Sequence, residues 1–322
     1  MKRFRSFLSK VIDLVFKLIF RGEIEREVRK EIVIKRLYML YAIFKGLKNF
    51  DDNFKCNSDT VFILGSGASL GQLKDSSWHK ISEFDVFGVN MSIVHGFPVR
   101  LQFWEMLGTS EIDSLFINTM KHERFKNTKF VINVNHAVNK KFFSKKYEQV
   151  LELENVYGYA PIGLSLKEPT RSNFEAHYDF LRSKTKCTST VHHCTHIGAA
   201  VDFAYLSGYK NIVLIGCDLN GGKYFTEVKS ESAMYPNRIE YNLCNEFRKK
   251  HNRSINESYE LVHPTMQKDL MNSKGVVDSV TYFTSIRNFY KEKGVNLAVL
   301  NDDSELAQHI PVFDLNRIAN AN

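Results

Sequence analysis

Thr60 to Leu70 reads T-V-F-I-L-G-S-G-A-S-L, an apolar run that passes straight into Gly65, Ser66, Gly67 and Ser69. A strand, a Gly-rich turn and then a helix bring backbone N–H groups and a helix N-terminus up to a phosphate, an approach that a side chain at the glycines would block. The segment has neither the Lys of a Walker loop nor the third Gly of the dinucleotide fingerprint, so ATP hydrolysis and NAD chemistry lack their usual signals. A plain strand-to-helix turn is the alternative.

Four further segments carry groups able to bind or react. Phe84 to Asn90, F-D-V-F-G-V-N, is a second apolar run ending in an amide. At the carboxyl end of a parallel strand Asn90 would stand beside the Gly65 turn and bond a sugar or base; a turn-capping Asn reads equally well. Cys187 to His196, C-T-S-T-V-H-H-C-T-H, is dense in Cys and His, but its spacing matches no structural zinc pattern, so no metal is expected. Thr195 and His196 open an apolar helix, a position suited to phosphate or carboxylate; a plain helix cap is the alternative. Ile212 to Asp218, I-V-L-I-G-C-D, ends a strand in a carboxylate that either contacts a ligand or ties its own loop through backbone N–H groups. His263, before Pro264, offers an imidazole of the kind able to take a proton from a hydroxyl.

The elements that must position these groups alternate. Val61–Leu64, Val86–Val89, Phe130–Val134 and Ile212–Ile215 are short apolar runs separated by longer helical patterns, which predicts an α/β fold built on a mostly parallel sheet. Ile197–Ser207, stopped by Gly208, is a predicted helix feeding the Ile212 strand. A last unit has a helix over Ser279–Lys293, a stop at Gly294 and a strand over Asn296–Leu300. Asp51–Ser58 is polar and reads as a linker.

The chain has 322 residues, 43% of them hydrophobic, which excludes a disordered or collagen-like protein. Its net charge of +8 invites a nucleic-acid reading. Residues 1–50, however, hold 13 Lys/Arg against 5 Asp/Glu, and residues 51–322 hold 31 against 31. The excess lies wholly in the N-terminal segment, so no nucleic acid is expected as partner. Within residues 2–21, Phe4, Phe7, Leu8, Val11, Val15, Leu18 and Ile19 recur at helical spacing opposite Arg3, Lys10 and Lys17. Such a basic amphipathic helix lies on an anionic membrane surface, or else packs on the body or on a second copy of the chain. Five scattered cysteines suit a reducing compartment, and no apolar run reaches transmembrane length. A cytoplasmic protein with a basic helical extension over 1–50 and one catalytic domain over 59–315 is expected.

In order, these motifs resemble those of the small bacterial lipo-oligosaccharide sialyltransferases of glycosyltransferase family 42. That family's G-N-G-P-S-L stands here as Gly65-Ser66-Gly67-Ala68-Ser69-Leu70, its F-D-V-F-x-x-N as Phe84 to Asn90, and its G-Y-K-x-I-x-L-x-G-x-D as Gly208 to Asp218. The resemblance spans roughly residues 60–315 and implies a Rossmann-like, doubly wound fold. It also implies inverting transfer of a nonulosonic acid from a CMP-sugar donor to a hydroxyl of a glycan or lipid-linked oligosaccharide, without metal or cofactor. Gly65, Ser66, Gly67, Ser69 and Asn90 would hold the nucleotide, and Thr195 and His196 the nucleotide or the donor carboxylate. Tyr224 would bond the departing phosphate, and His263 would serve as base, with Asp218 or His196 as alternatives. Ser66 departs from the family's Asn. His263-Pro264 resembles the His-Pro motif of other bacterial sialyl- and Kdo-transferases, in which the His binds the CMP phosphate. A Kdo transferase, a pterin-type pyrophosphokinase needing ATP and Mg²⁺, and an inactive scaffold are the competing readings. A sialyltransferase of this kind would work at the inner face of the bacterial cytoplasmic membrane.

Overall fold

The computed structural model describes residues 11–12, 14–50, 54–105, 110–135, 148–220, 223–252 and 264–316. Eight strands form one parallel sheet: β1 (Lys48–Asn49), β2 (Thr60–Leu64), β3 (Asp85–Val89), β4 (Leu101–Trp104), β5 (Lys129–Asn133), β6 (Val156–Tyr159), β7 (Asn211–Ile215) and β8 (Asn296–Val299). Their order is β1-β6-β5-β4-β3-β2-β7-β8, every pairing parallel. The chain steps outward from β2 to β6, then crosses back to lay β7 on the other side of β2. The direction of winding therefore reverses between β2 and β7, the place where open α/β sheets bind ligands.

The inner strands are buried on both faces because helices cover both, whereas the two residues of β1 are exposed. Val61 and Ile63 of β2, Phe87 of β3 and Ile212 and Leu214 of β7 face a core shared with α1 (Glu23–Phe44), α5 (Arg171–Lys184), α6 (His196–Ser207) and α9 (Ser279–Glu292). The alternate residues Phe62, Leu64, Val86, Val213 and Ile215 face a second core with α2 (Asp75–Ile81), α3 (Ser110–Met120) and α7 (Ile239–Asn252). Two short helices, α4 (Glu148–Leu151) and α8 (Lys268–Asn272), are also present. This double burial is why the strands read as continuous apolar runs rather than as alternating ones.

The N-terminal segment is joined to this body. Lys48 and Asn49 pair with Tyr157 and Gly158, and α1 lies against α5, where His177 Nε2 is 3.1 Å from Glu27 Oε2. The boundary expected at residue 50 therefore falls between a strand of the sheet and the segment that follows it. Residues 54–58, read as linker, also dock: Phe54 packs against Phe50, Phe87 and Phe203, and the Asn57 N–H donates to Asp85 Oδ2 at 2.7 Å. Apolar rings and a buried carboxylate outweigh the polar composition that suggested a loose connection. Of the basic helix expected over residues 2–21, residues 1–10 lie outside the described residues; Val11, Leu14, Val15, Leu18 and Ile19 are exposed. No described helix is long and apolar enough to cross a membrane.

Two polar networks brace the fold, one at the strand starts and one among the helices. At the strand starts, the Arg100 guanidinium donates to both oxygens of Asp85 at 2.8 Å, and the Tyr209 hydroxyl donates to Asp85 Oδ2 at 2.5 Å. Burial, reinforced by this bond to a carboxylate, pushes the Tyr209 hydroxyl far above its usual pKa. Asp85 and Tyr209 belong to different sequence motifs, so part of what those motifs specify is this staple.

The second network joins α5 to α6. Fully buried Asp202 pairs with Arg182 and accepts from the hydroxyls of Tyr178 at 2.5 Å and Tyr290 at 3.1 Å. It also accepts the Val191 N–H at 2.6 Å, while Arg182 donates to the carbonyls of Cys187 and Ser189 at 3.2 and 3.0 Å. Removing one member leaves an uncompensated charge in the core. Asp202→Ala should lower the unfolding free energy by about 3–5 kcal/mol in urea titration; a loss under about 1 kcal/mol would show that the network is not a stabilising brace.

Candidate functional site

The groups singled out by their spacing meet where the winding reverses. Gly65, Ser66 and Gly67 leave β2, Asn90 leaves β3, Asp218 follows β7, and Thr195 and His196 open α6. All seven line one open cleft of about 510 Å³, together with Tyr224, Lys223, Pro264 and Thr265. That volume is in the range of small-molecule sites. His263 lies outside the described residues, but the two residues that follow it are on the cleft wall. Ser69 is the one described candidate that does not line the cleft, because it is drawn beneath it.

The Gly-rich turn differs from the expected one. It opens not into an α-helix but into a single 3₁₀ stretch, Ala68–Gln72, followed by α2. Asp218 explains why: it accepts the Ser69 N–H at 2.8 Å and the Ser69 hydroxyl, capping the turn from across the cleft. The loop-tying role is thus the one its contacts display. The glycines serve this packing as much as any phosphate approach. A Cβ on Gly65 would lie 2.3 Å from the Gly216 carbonyl oxygen, and one on Gly67 would lie 2.5 Å from Asp218 Oδ2. At Gly65 the two loops, one from each side of the reversal point, therefore meet backbone to backbone, while at Gly67 the Asp218 carboxylate fills the space that a Cβ would take. Tyr224 closes the third side: Gly67 and Tyr224 form an antiparallel bridge, and the Phe225 N–H donates to the Ser66 carbonyl at 3.1 Å.

Asn90 sits at φ +49°, a left-handed conformation that Asn tolerates better than most residues. Its side-chain oxygen accepts the Glu105 N–H at 2.9 Å, and its carbonyl accepts from Gln102 Nε2 at 3.1 Å. It therefore locks the ends of β3 and β4 together while lining the cleft. Thr195 is the N-cap of α6 and makes no side-chain capping bond. His193, two residues earlier, is buried and accepts the Val277 N–H on Nε2 at 2.9 Å, anchoring this loop to the approach to α9. Burial pulls its pKa down to about 3, which keeps the ring neutral and able to accept. Cys194 and Cys217 also line the cleft, but burial raises both thiols, Cys194 to about 12, so neither is a thiolate nucleophile at neutral pH.

Beside the cleft the structure gathers three groups that were not read together in sequence. Glu105, just past β4, is buried; its Oε1 is 3.4 Å from His192 Nε2, and its Oε2 pairs with His196 Nε2. Asn133, at the end of β5, donates to Glu105 Oε1 at 3.3 Å. The run of histidines was visible, but the carboxylate lies 87 positions before His192 and follows a strand of only four residues, L-Q-F-W. The one available signal was Glu105 at the carboxyl end of an apolar run.

No family model matches the chain, and no curated protein matches it. Among solved structures it is similar to the sialyltransferase CstII from Campylobacter jejuni in complex with CMP-3FNeuAc, at 18% identity and a TM-score of 0.46, covering 82% of this chain and 88% of that one. It is similar to the monofunctional alpha-2,3-sialyltransferase Cst-I from the same organism at 14% identity and a TM-score of 0.42, covering 83% and 85%. The MAf glycosyltransferase from Magnetospirillum magneticum AMB-1 matches 58% of this chain and 28% of its own at 16% identity, with a TM-score of 0.35.

The contact between the two loops is open to a direct test. Gly67→Ala should destabilise the protein by about 1–3 kcal/mol through overpacking. Because Asp218 supplies the nearest colliding atom, the Gly67→Ala and Asp218→Ala costs should fall short of additivity by at least about 0.5 kcal/mol in a double-mutant cycle. Strict additivity would show that the loops do not press on each other at this point.

Proposed function

We propose that the chain is an inverting glycosyltransferase that moves a nonulosonic acid from a CMP-sugar to a hydroxyl of a glycan or lipid-linked oligosaccharide. The observation that carries this reading is the convergence of three separate motif ends, Gly65-Ser66-Gly67, Asn90 and Asp218, with Tyr224 and Thr195 around one cleft at the reversal point of a parallel sheet. A sheet wound in this way presents backbone N–H groups and strand-end side chains to a nucleotide.

In this reading the Gly65 turn and Asn90 hold the nucleotide, and Thr195 meets its phosphate or the donor carboxylate. Tyr224 donates a hydrogen bond to the phosphate oxygen as the anomeric C–O bond breaks, stabilising charge that grows on the leaving CMP. Lys223, beside it on the cleft wall, adds positive charge on the same side. His263, whose neighbours Pro264 and Thr265 line the cleft, takes the proton of the acceptor hydroxyl as its oxygen attacks the opposite face of the anomeric carbon. Ser69 and Asp218 act beneath the ligand by holding the turn.

The exposed apolar residues Leu14, Leu18 and Ile19, and Leu40 and Phe44 of α1, support seating this enzyme on an anionic membrane surface, where a lipid-linked acceptor would lie.

Incubation with CMP-Neu5Ac, with CMP-Kdo in parallel, should release CMP in the presence of an acceptor sugar. His263→Ala should lower turnover by about two to four orders of magnitude with the fold intact by circular dichroism. Absence of CMP release from either donor, together with no thermal stabilisation by CMP, would sink the assignment. Deleting residues 1–21 should release the protein from vesicles containing anionic lipid while sparing activity on a soluble acceptor. Unchanged sedimentation with those vesicles would remove the membrane role from that segment.

A further inference from the structure

We propose that Glu105, His192 and His196 form a binding site for one first-row transition-metal ion, of the zinc class, in the wall of the cleft. The ligand atoms of the three side chains lie within 4.8 Å of one another, and they come from three places in the fold: the end of β4, the loop before α6, and the first residue of α6. Three such donors, two imidazole nitrogens and one carboxylate oxygen, are the set that holds zinc where a further position is left for water or substrate. Imidazole ligands favour zinc, iron, nickel and copper, whereas magnesium and calcium take oxygen donors, so the hard cations are the poor fit.

Three further features of the site point the same way. Glu105 is buried, and a buried carboxylate is found paired or coordinating a metal. Asn133 donates to Glu105 Oε1, the arrangement by which an outer residue fixes the orientation of a ligating carboxylate. The positions of the donors are also held from behind. Asn90 ties Glu105 through its backbone N–H, and the Asp202–Arg182 pair and His193 hold the loop that carries His192. His196 also lines the cleft, so an ion held here would sit at its wall. Metal binding is a property of these residues alone and does not depend on which nucleotide the cleft accepts.

The test uses the full chain stripped with EDTA and desalted. Calorimetric titration with Zn²⁺ should give one ion per chain, Mg²⁺ should give no saturable heat, and Co²⁺ should develop the visible absorption of a histidine-bound ion. Saturable Zn²⁺ binding should vanish in Glu105→Gln and in His196→Ala. In Asn133→Ala, which keeps all three ligands, it should weaken by about 10- to 100-fold. Each variant's circular dichroism is recorded, so that lost binding counts only in a folded chain. Wild-type protein that takes up neither Zn²⁺ nor Co²⁺ overturns the site. So does a Zn²⁺ stoichiometry and affinity that stay unchanged in the folded Glu105→Gln or Asn133→Ala chain. Failure of CMP release would leave these readouts unaffected.

Discussion

Much of the molecule's working end depends on Asp202, a carboxylate with no exposure to water. One oxygen takes two tyrosine hydroxyls, and the other takes a guanidinium and the backbone N–H of Val191. A charge so placed is tolerable only if every contact is kept, which makes the surrounding geometry all-or-none. The contact to Val191 and those from Arg182 to Cys187 and Ser189 fix a stretch of irregular chain that ends in Thr195 and His196. These contacts offset part of the conformational entropy that ordering an irregular loop costs.

The sheet shows a division of labour between its two ends. At the strand starts, Asp85, Arg100 and Tyr209 form a closed group that contributes rigidity and has no access to the cleft. At the strand ends, Gly65, Asn90 and Asp218 line one cleft at the place where the winding turns back, with Glu105 beside it at the end of β4. Motifs that contain both kinds of residue, such as Phe84 to Asn90, therefore carry one structural and one site position within a single strand. Separating them by type alone is impossible, because Asp85 and Asn90 are equally polar and their roles are set by which end of β3 they occupy.

That limit accounts for what was legible in the sequence. β2, β3, β5, β7 and β8 were visible because five- and four-residue apolar runs stand out between helical patterns, and glycine stops marked the ends of α6 and α9. β4, with Gln102 inside it, and β6, with Gly158, interrupt their apolar character, and β1 is two residues whose pairing is entirely tertiary. Most of the cleft residues were legible because strand-end polar groups follow an apolar run directly. The Asp218–Ser69 bond, the 3₁₀ turn that it caps and the Glu105 cluster were not, since each depends on residues more than 80 positions apart. Local patterns locate the ends of elements; which ends face one another follows from strand order, which no single segment encodes.

The shape of the sheet's two margins bears on how copies of the chain are able to meet. On one side the outermost strand is only Lys48 and Asn49; on the other, the C-terminal segment covers β8, with the Phe313 N–H donating to the Val299 carbonyl at 2.7 Å and the Val299 N–H donating to Pro311 at 2.9 Å. A margin of two residues bearing a lysine, opposite one already occupied, gives an incoming strand almost no row of free backbone groups to extend. Self-association by lengthening the sheet is thereby disfavoured in the native state. Among the described residues, the helical faces remain for contacts between copies, and the exposed apolar side chains of α1 are among them.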